Sequence, residues 1–219
     1  MNGPGGARLG DAEAIIGLLL RLRARGIRDL RVLKALETAP RALFVPHVYG
    51  DLAYKEIALP IPCGQTMPDP FTVARMMEAL GVEPHHRVLE IGAGSGYVTA
   101  ILARLATKVQ ACERFKTLAQ AAQVRLDALG LAHAKVEWAD AFALPPLPGH
   151  YDRIVVHAAV AEPEPVWMHS LTGEGRMALA RPATPGRAAR LALLQPGAAE
   201  RDICPGALPA LVPGLAQGL

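Results

Sequence analysis

Apolar residues follow helical spacing at the start of the chain, and this spacing disappears before residue 70. Residues 11–25 and 28–38 carry apolar positions three and four apart, which predicts two amphipathic helices. Residues 41–70 have no clear period and are rich in proline and glycine, which indicates a loop. Loops of that length in a compact chain are usually functional, and the Tyr, Phe and Ile content of this one indicates ordered packing.

After residue 70, helical periods alternate with short and almost continuously apolar runs. This alternation, repeated five times, predicts an α/β fold with a doubly wound, mostly parallel sheet whose strands are covered on both faces. A further apolar run, residues 190–197, is predicted as an edge strand, and no element is predicted from residue 196 onward. The predicted helices are 70–81, 97–106, 114–130 and 164–173, and the predicted strands are 87–92, 108–113, 134–140, 151–160 and 175–183.

The length of 219 residues predicts a single domain over residues 1–219. Within it we expect N-terminal helices and a loop in residues 1–70, a core in residues 71–183 and a C-terminal edge segment in residues 184–219. We expect the protein to be a monomer.

Charge and composition exclude several classes of protein. The net charge of +3 is spread along the chain without a basic block, so we expect no nucleic-acid partner. The apolar run near the start is interrupted by Arg21 and Arg23, which argues against a membrane span or a signal peptide. The three cysteines are far apart, which argues against a disulfide framework or a zinc site. We therefore expect a cytoplasmic protein with no membrane partner and no metal.

The stretch "RVLEIGAGSGYVTA" places three glycines, Gly92, Gly94 and Gly96, between a buried strand and a helix. Glycine adopts positive φ readily and lets a ligand approach the backbone closely. In open parallel sheets such a turn lies where ligands bind. The spacing GxGxG matches neither the dinucleotide fingerprint nor a P-loop. Glu90, two residues before the turn, would repel a pyrophosphate and attract an ammonium group.

Two further acids follow the next two strands. Glu113 ends the second strand, where a carboxylate can accept hydrogen bonds from ribose hydroxyls. Asp140 ends the third strand, where it can accept from an exocyclic adenine amine. Acids at three successive strand tips around a glycine turn predict a site for S-adenosylmethionine. Trp138 and Phe142 flank Asp140, and each could stack on adenine or pack in the core.

Several stretches resemble protein-L-isoaspartate O-methyltransferases, a family of class I S-adenosylmethionine-dependent methyltransferases with a Rossmann-like core. "VLEIGAGSGYVTAILA" resembles the first motif of that class. The stretches "PRALFVP", "AYKEIALPI", "GQTMPDP" and "VARMMEAL" are similar to the family's N-terminal signature in order and spacing. The stretches "YDRIVVHAAV", "GEGRMAL" and "ALVPGLAQGL" resemble its later strands and its ending.

The resemblance implies a protein-repair enzyme that methylates the abnormal α-carboxylate of isoaspartyl residues in damaged proteins or peptides. The ester then collapses to a succinimide without further enzyme action. The resemblance implies that a substrate loop contributes Ile57, Leu59, Ile61 and Gln65. It also implies that the cofactor contacts Glu90, Gly92, Gly94, Gly96, Glu113, Asp140 and Ala141.

The resemblance fails at one position that matters for catalysis. It implies catalytic roles for Thr66 and for the position of Pro68, where the family has a serine whose hydroxyl lies in the active site. Pro68 offers neither a hydroxyl nor a backbone N–H, and an inward-facing Asp69 would repel a carboxylate. Two alternatives therefore stay open: a related methyltransferase with another carboxylate acceptor, or a cofactor-binding module without catalysis.

The histidines offer weaker candidates. His85 and His86 are interpreted as an exposed turn rather than a metal site. His157 and His169 could approach the cofactor crevice as proton carriers or be packed or surface histidines.

Overall fold

The N-terminal region is more regular than its sequence predicts. The structure, a computed structural model, describes residues 9–217. Helices α1 (Leu9–Ala24) and α2 (Leu30–Thr38) form as predicted. The predicted loop then contains two 3₁₀ turns, Arg41–Phe44 and His47–Leu52, and an antiparallel hairpin of strands β1 (Leu59–Ile61) and β2 (Gln65–Met67). The prediction of an irregular loop was therefore wrong, although these residues are ordered and packed as expected.

Both ends of helix α3 are set by residues of its own local sequence. The Asp69 carboxylate accepts hydrogen bonds from the amides of Phe71 and Thr72, and Pro70 fills the first turn, where no amide partner is needed. Gly81 ends the helix in the left-handed conformation that favours glycine. The predicted helix over residues 70–81 is thereby confirmed to within one residue.

Beyond helix α3 the chain alternates strands and helices and then adds two further strands. The helices are α3 (Pro70–Leu80), α4 (Tyr97–Leu105), α5 (Lys116–Ala128) and α6 (Pro165–Ser170), with a 3₁₀ turn at Ala141–Ala143. The strands are β3 (Arg87–Ile91), β4 (Lys108–Glu113), β5 (Ala134–Trp138), β6 (Tyr151–Ala159), β7 (Leu171–Arg181), β8 (Arg190–Leu194) and β9 (Arg201–Pro205).

The main sheet has the strand order β5-β4-β3-β6-β7-β8-β9. Strands β3 to β7 pair in parallel, whereas β8 and β9 pair antiparallel at one end. Apolar clusters cover both faces: one includes Leu102 and Val155 with the N-terminal helices, and the other includes Ile154 and Trp167. The predicted mostly parallel, doubly wound α/β fold is confirmed.

Two sequence predictions near the C-terminus were wrong. The helix predicted over residues 164–173 ends at Ser170, and β7 begins at Leu171, so Gly173 lies inside the strand and does not end the helix. Within the run 190–197, β8 covers Arg190–Leu194, and it is not the edge strand because β9 pairs beyond it. Strand β9 is half polar and ends in proline, so it carries little apolar signal. Among the described residues, no helix combines the length and apolar character needed to cross a bilayer.

Candidate functional site

The strand order reverses between β3 and β6, and the glycine turn lies at that point. In open α/β sheets, ligands bind beyond the carboxyl ends of the strands at this position. Gly92, Gly94 and Gly96 all adopt positive φ, at 84°, 55° and 85°. The predicted need for backbone freedom is therefore visible in the turn itself. Gly92 and Gly94 line the pocket, which opens above the ends of β3, β4 and β6.

Gly96 has a different role from the other two glycines. A Cβ atom at this position would lie 2.9 Å from the Cβ of Ala122 on helix α5. Gly96 does not line the pocket, and it precedes α4 as its N-terminal cap. Its lack of a side chain therefore lets α4 start close to α5, which fixes the turn that lines the pocket.

Glu113 lies at the pocket wall at the end of β4. Its Oε2 accepts a hydrogen bond from the Gly94 amide at 2.8 Å, and its Oε1 accepts from the Phe115 amide at 2.9 Å. Burial raises the pKa of the Glu113 carboxyl above its usual value, although hydrogen bonds from the backbone amides of Phe115 and Gly94 act in the opposite direction. The carboxylate is thus held in a fixed orientation, with lone pairs left for ribose hydroxyls.

Asp140 lies across the pocket at the end of β5, followed by Ala141 in the wall. Its Oδ1 accepts from the Phe142 amide at 3.0 Å and its Oδ2 accepts from the Gly214 amide at 2.8 Å. Phe142 packs against Trp167 and Trp138 is exposed, and neither lines the pocket.

The C-terminal segment runs back over the carboxyl end of the sheet, which the sequence did not predict. Its residues 209–212 line the pocket, and Leu211 donates its amide to the Ala159 carbonyl. The Arg114 guanidinium donates to the Gly214 carbonyl at 2.8 Å, and the Lys116 amide donates to the Ala216 carbonyl at 2.9 Å. The segment therefore closes the side of the pocket near Glu113 and Asp140.

Glu90 does not line the pocket, contrary to the position expected for direct contact with a ligand. Its side chain is completely buried behind the glycine turn, where Oε1 lies 3.1 Å from Nε2 of His157. His157 does line the pocket. His169 is exposed on α6 and lies outside the pocket wall.

The β1–β2 hairpin forms the wall opposite the sheet. Ile61, Gln65, Thr66 and Pro68 line the pocket, and the Ile61 Cδ1 lies 3.2 Å from the point where Gly94 would carry a Cβ. Among the predicted loop residues, Leu59 is buried in the hairpin and Ile57 is exposed, and neither lines the pocket. Asp69 caps α3 and is absent from the pocket wall, so the repulsion considered from the sequence does not arise.

Arg41 holds the segment of residues 53–68 in place through hydrogen bonds to its backbone. Its side chain is fully buried, and its guanidinium donates to the carbonyls of Ala53 at 2.6 Å, Ile57 at 3.1 Å and Pro68 at 2.9 Å. Burial lowers the pKa of Arg41 from its usual value. Sequence reasoning did not single out Arg41, since a lone arginine after a proline carries no pattern.

A second group of polar side chains lies at the opposite end of the sheet. The ligand atoms of Glu83, His85 and His86 are within 4.8 Å of one another. His86 is buried rather than exposed, and its Nδ1 accepts the Glu83 amide at 2.9 Å. That hydrogen bond leaves the hydrogen of a neutral imidazole on Nε2, so His86 has no free lone pair for a metal.

The pocket fits S-adenosylmethionine on its own geometry. The turn leaves the backbone of Gly92 and Gly94 open to a ligand, and the carboxylates of Glu113 and Asp140 line the same pocket, where they could accept hydrogen bonds from ribose and adenine. The side chain of Glu90 is buried behind the turn, and its oxygens have no aligned hydrogen-bond partner within residues 9–217. Fold and site together define a class I S-adenosylmethionine-dependent methyltransferase.

Comparison with known proteins identifies the family. The profile of the family described as Protein-L-isoaspartate(D-aspartate) O-methyltransferase (PCMT) matches residues 15–194. The chain belongs to this family. Protein-L-isoaspartate O-methyltransferase 2 of Rhodopseudomonas palustris (strain HaA2) is 53% identical over 148 residues, which span 67% of this chain and 68% of that protein. The protein-L-isoaspartate O-methyltransferase of Maricaulis maris (strain MCS10) is 42% identical over 161 residues, 74% of this chain and 76% of that protein.

Solved structures agree on the fold. The beta-aspartate methyltransferase (PCMT) from Plasmodium falciparum, in complex with S-adenosyl-L-homocysteine, superposes with a TM-score of 0.78. Its sequence identity is 20%, and the match covers 90% of this chain and 97% of that one. At that identity the likeness establishes the shared architecture.

Glu113→Gln should weaken S-adenosylhomocysteine binding by about 10- to 100-fold, since hydrogen bonds to a charged group contribute about 1.5–3 kcal/mol. The wild-type affinity should also fall as the pH drops toward the raised pKa of Glu113, because a protonated carboxyl accepts fewer hydrogen bonds. Titration calorimetry between pH 8 and pH 5 measures both effects.

The contribution of Glu113 to protein stability should change with pH in the opposite direction to its contribution to cofactor affinity. Because the Glu113 pKa is higher in the folded state, its contribution to the free energy of unfolding is greatest in acid and declines as the pH rises through that pKa. Glu137→Gln, at an exposed position on β5, is the matched control. Equal pH profiles for wild type and Glu113→Gln would contradict the assignment.

Proposed function

We propose that the chain transfers a methyl group from S-adenosylmethionine to the free α-carboxylate of L-isoaspartyl residues in damaged proteins. The family match across residues 15–194 carries this proposal, since it includes both the cofactor-binding strands and the hairpin beside them. The names of the two similar relatives support the same substrate. The placement of the hairpin against the glycine turn gives an acceptor a position beside the cofactor.

The reaction demands alignment more than acid–base chemistry. When bound, S-adenosylmethionine supplies a methyl group on a positively charged sulfur. A carboxylate acceptor has a pKa of about 4 and is already ionised at neutral pH, so no strong base is needed. The hairpin and the glycine turn enclose the space in which the two reactants meet, and such orientation can contribute roughly 7–11 kcal/mol.

The hairpin offers few donors to the acceptor carboxylate. Thr66 lies in β2, is exposed, and lines the pocket, so its hydroxyl is the group we assign to donate to the acceptor. Pro68 supplies an apolar surface, and its carbonyl accepts from Arg41. The Asp69 carboxylate faces the start of α3 instead of the substrate, which removes the main reason to favour another acceptor.

The test compares an isoaspartyl peptide with the matching aspartyl peptide, using S-adenosylmethionine labelled in its methyl group. We expect methyl incorporation into the isoaspartyl peptide and only background in the other. Equal incorporation into the two peptides would refute the proposed specificity. Cofactor binding without turnover on either peptide would refute the activity itself.

Pro68→Ser addresses the altered position directly. If Thr66 already serves the acceptor, the added hydroxyl should change kcat/KM for the isoaspartyl peptide by less than about tenfold, which is the effect of one ordinary hydrogen bond. Thr66→Val should lower kcat/KM by about tenfold or more. A gain of two orders of magnitude from Pro68→Ser would instead indicate a different native acceptor.

A further inference from the structure

The turn between helix α3 and strand β3, residues 83–86, is closed by two hydrogen bonds between its first and last residues. Its second residue is a proline, which suits a β-turn. The His86 amide donates to the Glu83 carbonyl at 3.0 Å, and the Glu83 amide donates to Nδ1 of His86 at 2.9 Å. The second of these bonds exists only while Nδ1 carries no proton.

The α3–β3 turn is attached to the rest of the fold on both sides. The Thr107 amide and hydroxyl donate to the Pro84 carbonyl at 3.0 and 2.9 Å, which ties the turn to the segment before β4. Nε of Arg153 on β6 donates to the Leu80 carbonyl at 2.6 Å, at the end of α3. Helix α3 follows the hairpin, and β3 leads into the glycine turn, so this turn joins two elements that adjoin opposite pocket walls.

The surroundings of His86 favour a neutral imidazole. His86 is 7% exposed, and the ring of His85 lies 4.4 Å away, centroid to centroid. Burial lowers the pKa of His86, and the positive charges of Arg153 and of protonated His85 act in the same direction, against the carboxylates of Asp152 and Glu83.

His86 also borders a polar cavity at the amino end of the sheet, so protons from solvent can reach its ring. The charged and titratable groups that face it come from its own turn, from β6 and from β7: Glu83, His85, Asp152, Arg153 and Glu174.

We propose that His86 makes the α3–β3 turn an acid-sensitive switch. At neutral pH the Nδ1 lone pair accepts the Glu83 amide and the turn is closed. Protonation takes one proton from solvent onto Nδ1 and changes no covalent bond of the chain. The Glu83 amide and the imidazolium are then both donors, so their hydrogen bond is lost. The imidazolium is also left beside the Arg153 guanidinium, and the turn opens locally.

The effect on stability has a definite sign. Because the pKa of His86 is lowered in the folded chain, the unfolded chain binds this proton more tightly. The contribution of His86 to stability is therefore complete above the ordinary histidine pKa of about 6.5 and is lost as the pH falls below it. This trend is opposite to the one expected for Glu113.

NMR of the wild-type chain tests the switch directly. The ring resonances of His86 should titrate below pH 6.5, the ordinary histidine pKa being about that value, and below those of the exposed His85. The protection of the Glu83 amide against hydrogen exchange should fall by about tenfold for each pH unit below the measured pKa of His86, because the open fraction follows the protonated fraction.

His86→Asn removes the titration and keeps the acceptor, since Oδ1 of asparagine occupies the place of Nδ1. The lost ring lowers Tm at every pH, so the pH slope is what decides. From pH 8 to the measured pKa of His86, the wild type should lose about 3–5 °C more than His86→Asn for each unit by which that pKa lies below about 6.5. His47→Asn, at an exposed histidine on another turn, is the control and should follow the wild type.

Three results would overturn the inference: a His86 ring that titrates at or above about pH 6.5, Glu83 protection that does not follow the titration, or equal pH slopes for wild type and His86→Asn. If His86→Asn does not fold, the titration and exchange of the wild type decide alone. The affinity of His86→Asn for S-adenosylhomocysteine should keep the wild-type pH profile, so an error in the role of Glu113 would appear separately.

Discussion

Arg41→Met should lower Tm by about 10 °C and reduce kcat/KM for the isoaspartyl peptide by more than tenfold. The substitution removes the donors for the carbonyls of Ala53, Ile57 and Pro68. The buried Ala53 carbonyl left unpaired costs about 1–3 kcal/mol, and the two part-buried carbonyls add to this cost. Each kcal/mol shifts Tm by about 2–4 °C in a chain of this size. Calorimetric melting and initial-rate assays measure the two effects.

Arg41 acts through the loop, so cofactor and peptide should respond differently. We expect the S-adenosylhomocysteine affinity of Arg41→Met to change much less than the KM for the peptide. Arg31→Met is the matched control, because Arg31 is exposed and its guanidinium pairs with Asp29 nearby; exposed pairs of this kind contribute about 0–1 kcal/mol. Melting within two degrees of that control would disprove the role assigned to Arg41.

Gly96→Ala should be the most damaging single change in the glycine turn. The new methyl group would lie 2.9 Å from the Ala122 Cβ, in a backbone with φ of 85° that disfavours side chains. Left-handed backbone costs about 1–2 kcal/mol for an alanine, and overpacking adds about 1–3 kcal/mol. We expect a Tm loss of several degrees, and weaker S-adenosylhomocysteine binding because α4 must shift at the turn.

Gly130→Ala separates the cost of a left-handed backbone from the cost of the steric clash with Ala122. Gly130 also has positive φ, at 70°, but a Cβ there meets no atom within 4 Å. This variant should therefore show the backbone cost alone and leave cofactor affinity unchanged. If both variants lose the same stability in thermal melts, the close approach of α4 to α5 is not what requires glycine at residue 96.

The parallel core could be predicted because each element there carries its own local signal. Strand β3 buries the apolar residues Val88, Leu89 and Ile91, and helix α3 has a capping acid, an initial proline and a final glycine. The hairpin could not be predicted in the same way. Strands β1 and β2 have three residues each, which is too short to show a period. Their turn places Cys63 at positive φ, where glycine is the usual residue.

The sequence indicated where Glu113 and Asp140 lie, but it did not indicate how deeply each side chain is buried. Strand tips bring Glu113 and Asp140 to one crevice because parallel strands end at the same edge of the sheet. Spacing alone does not distinguish Glu90, which lies beneath the wall, from His157, which forms it. The C-terminal segment also escaped prediction, since it is held by backbone hydrogen bonds to Ala159, Arg114 and Lys116 rather than by an apolar pattern.

Because Ile61 approaches Gly94, one short hairpin borders both the glycine turn and the space proposed for the acceptor. Directed evolution toward bulkier acceptors would target this hairpin first. Substitutions there will also alter the fit of the methyl donor, so gains in acceptor range should come with weaker donor affinity. Laboratory lineages should then acquire second mutations in the Gly92–Gly96 turn that recover donor affinity after acceptor range has widened.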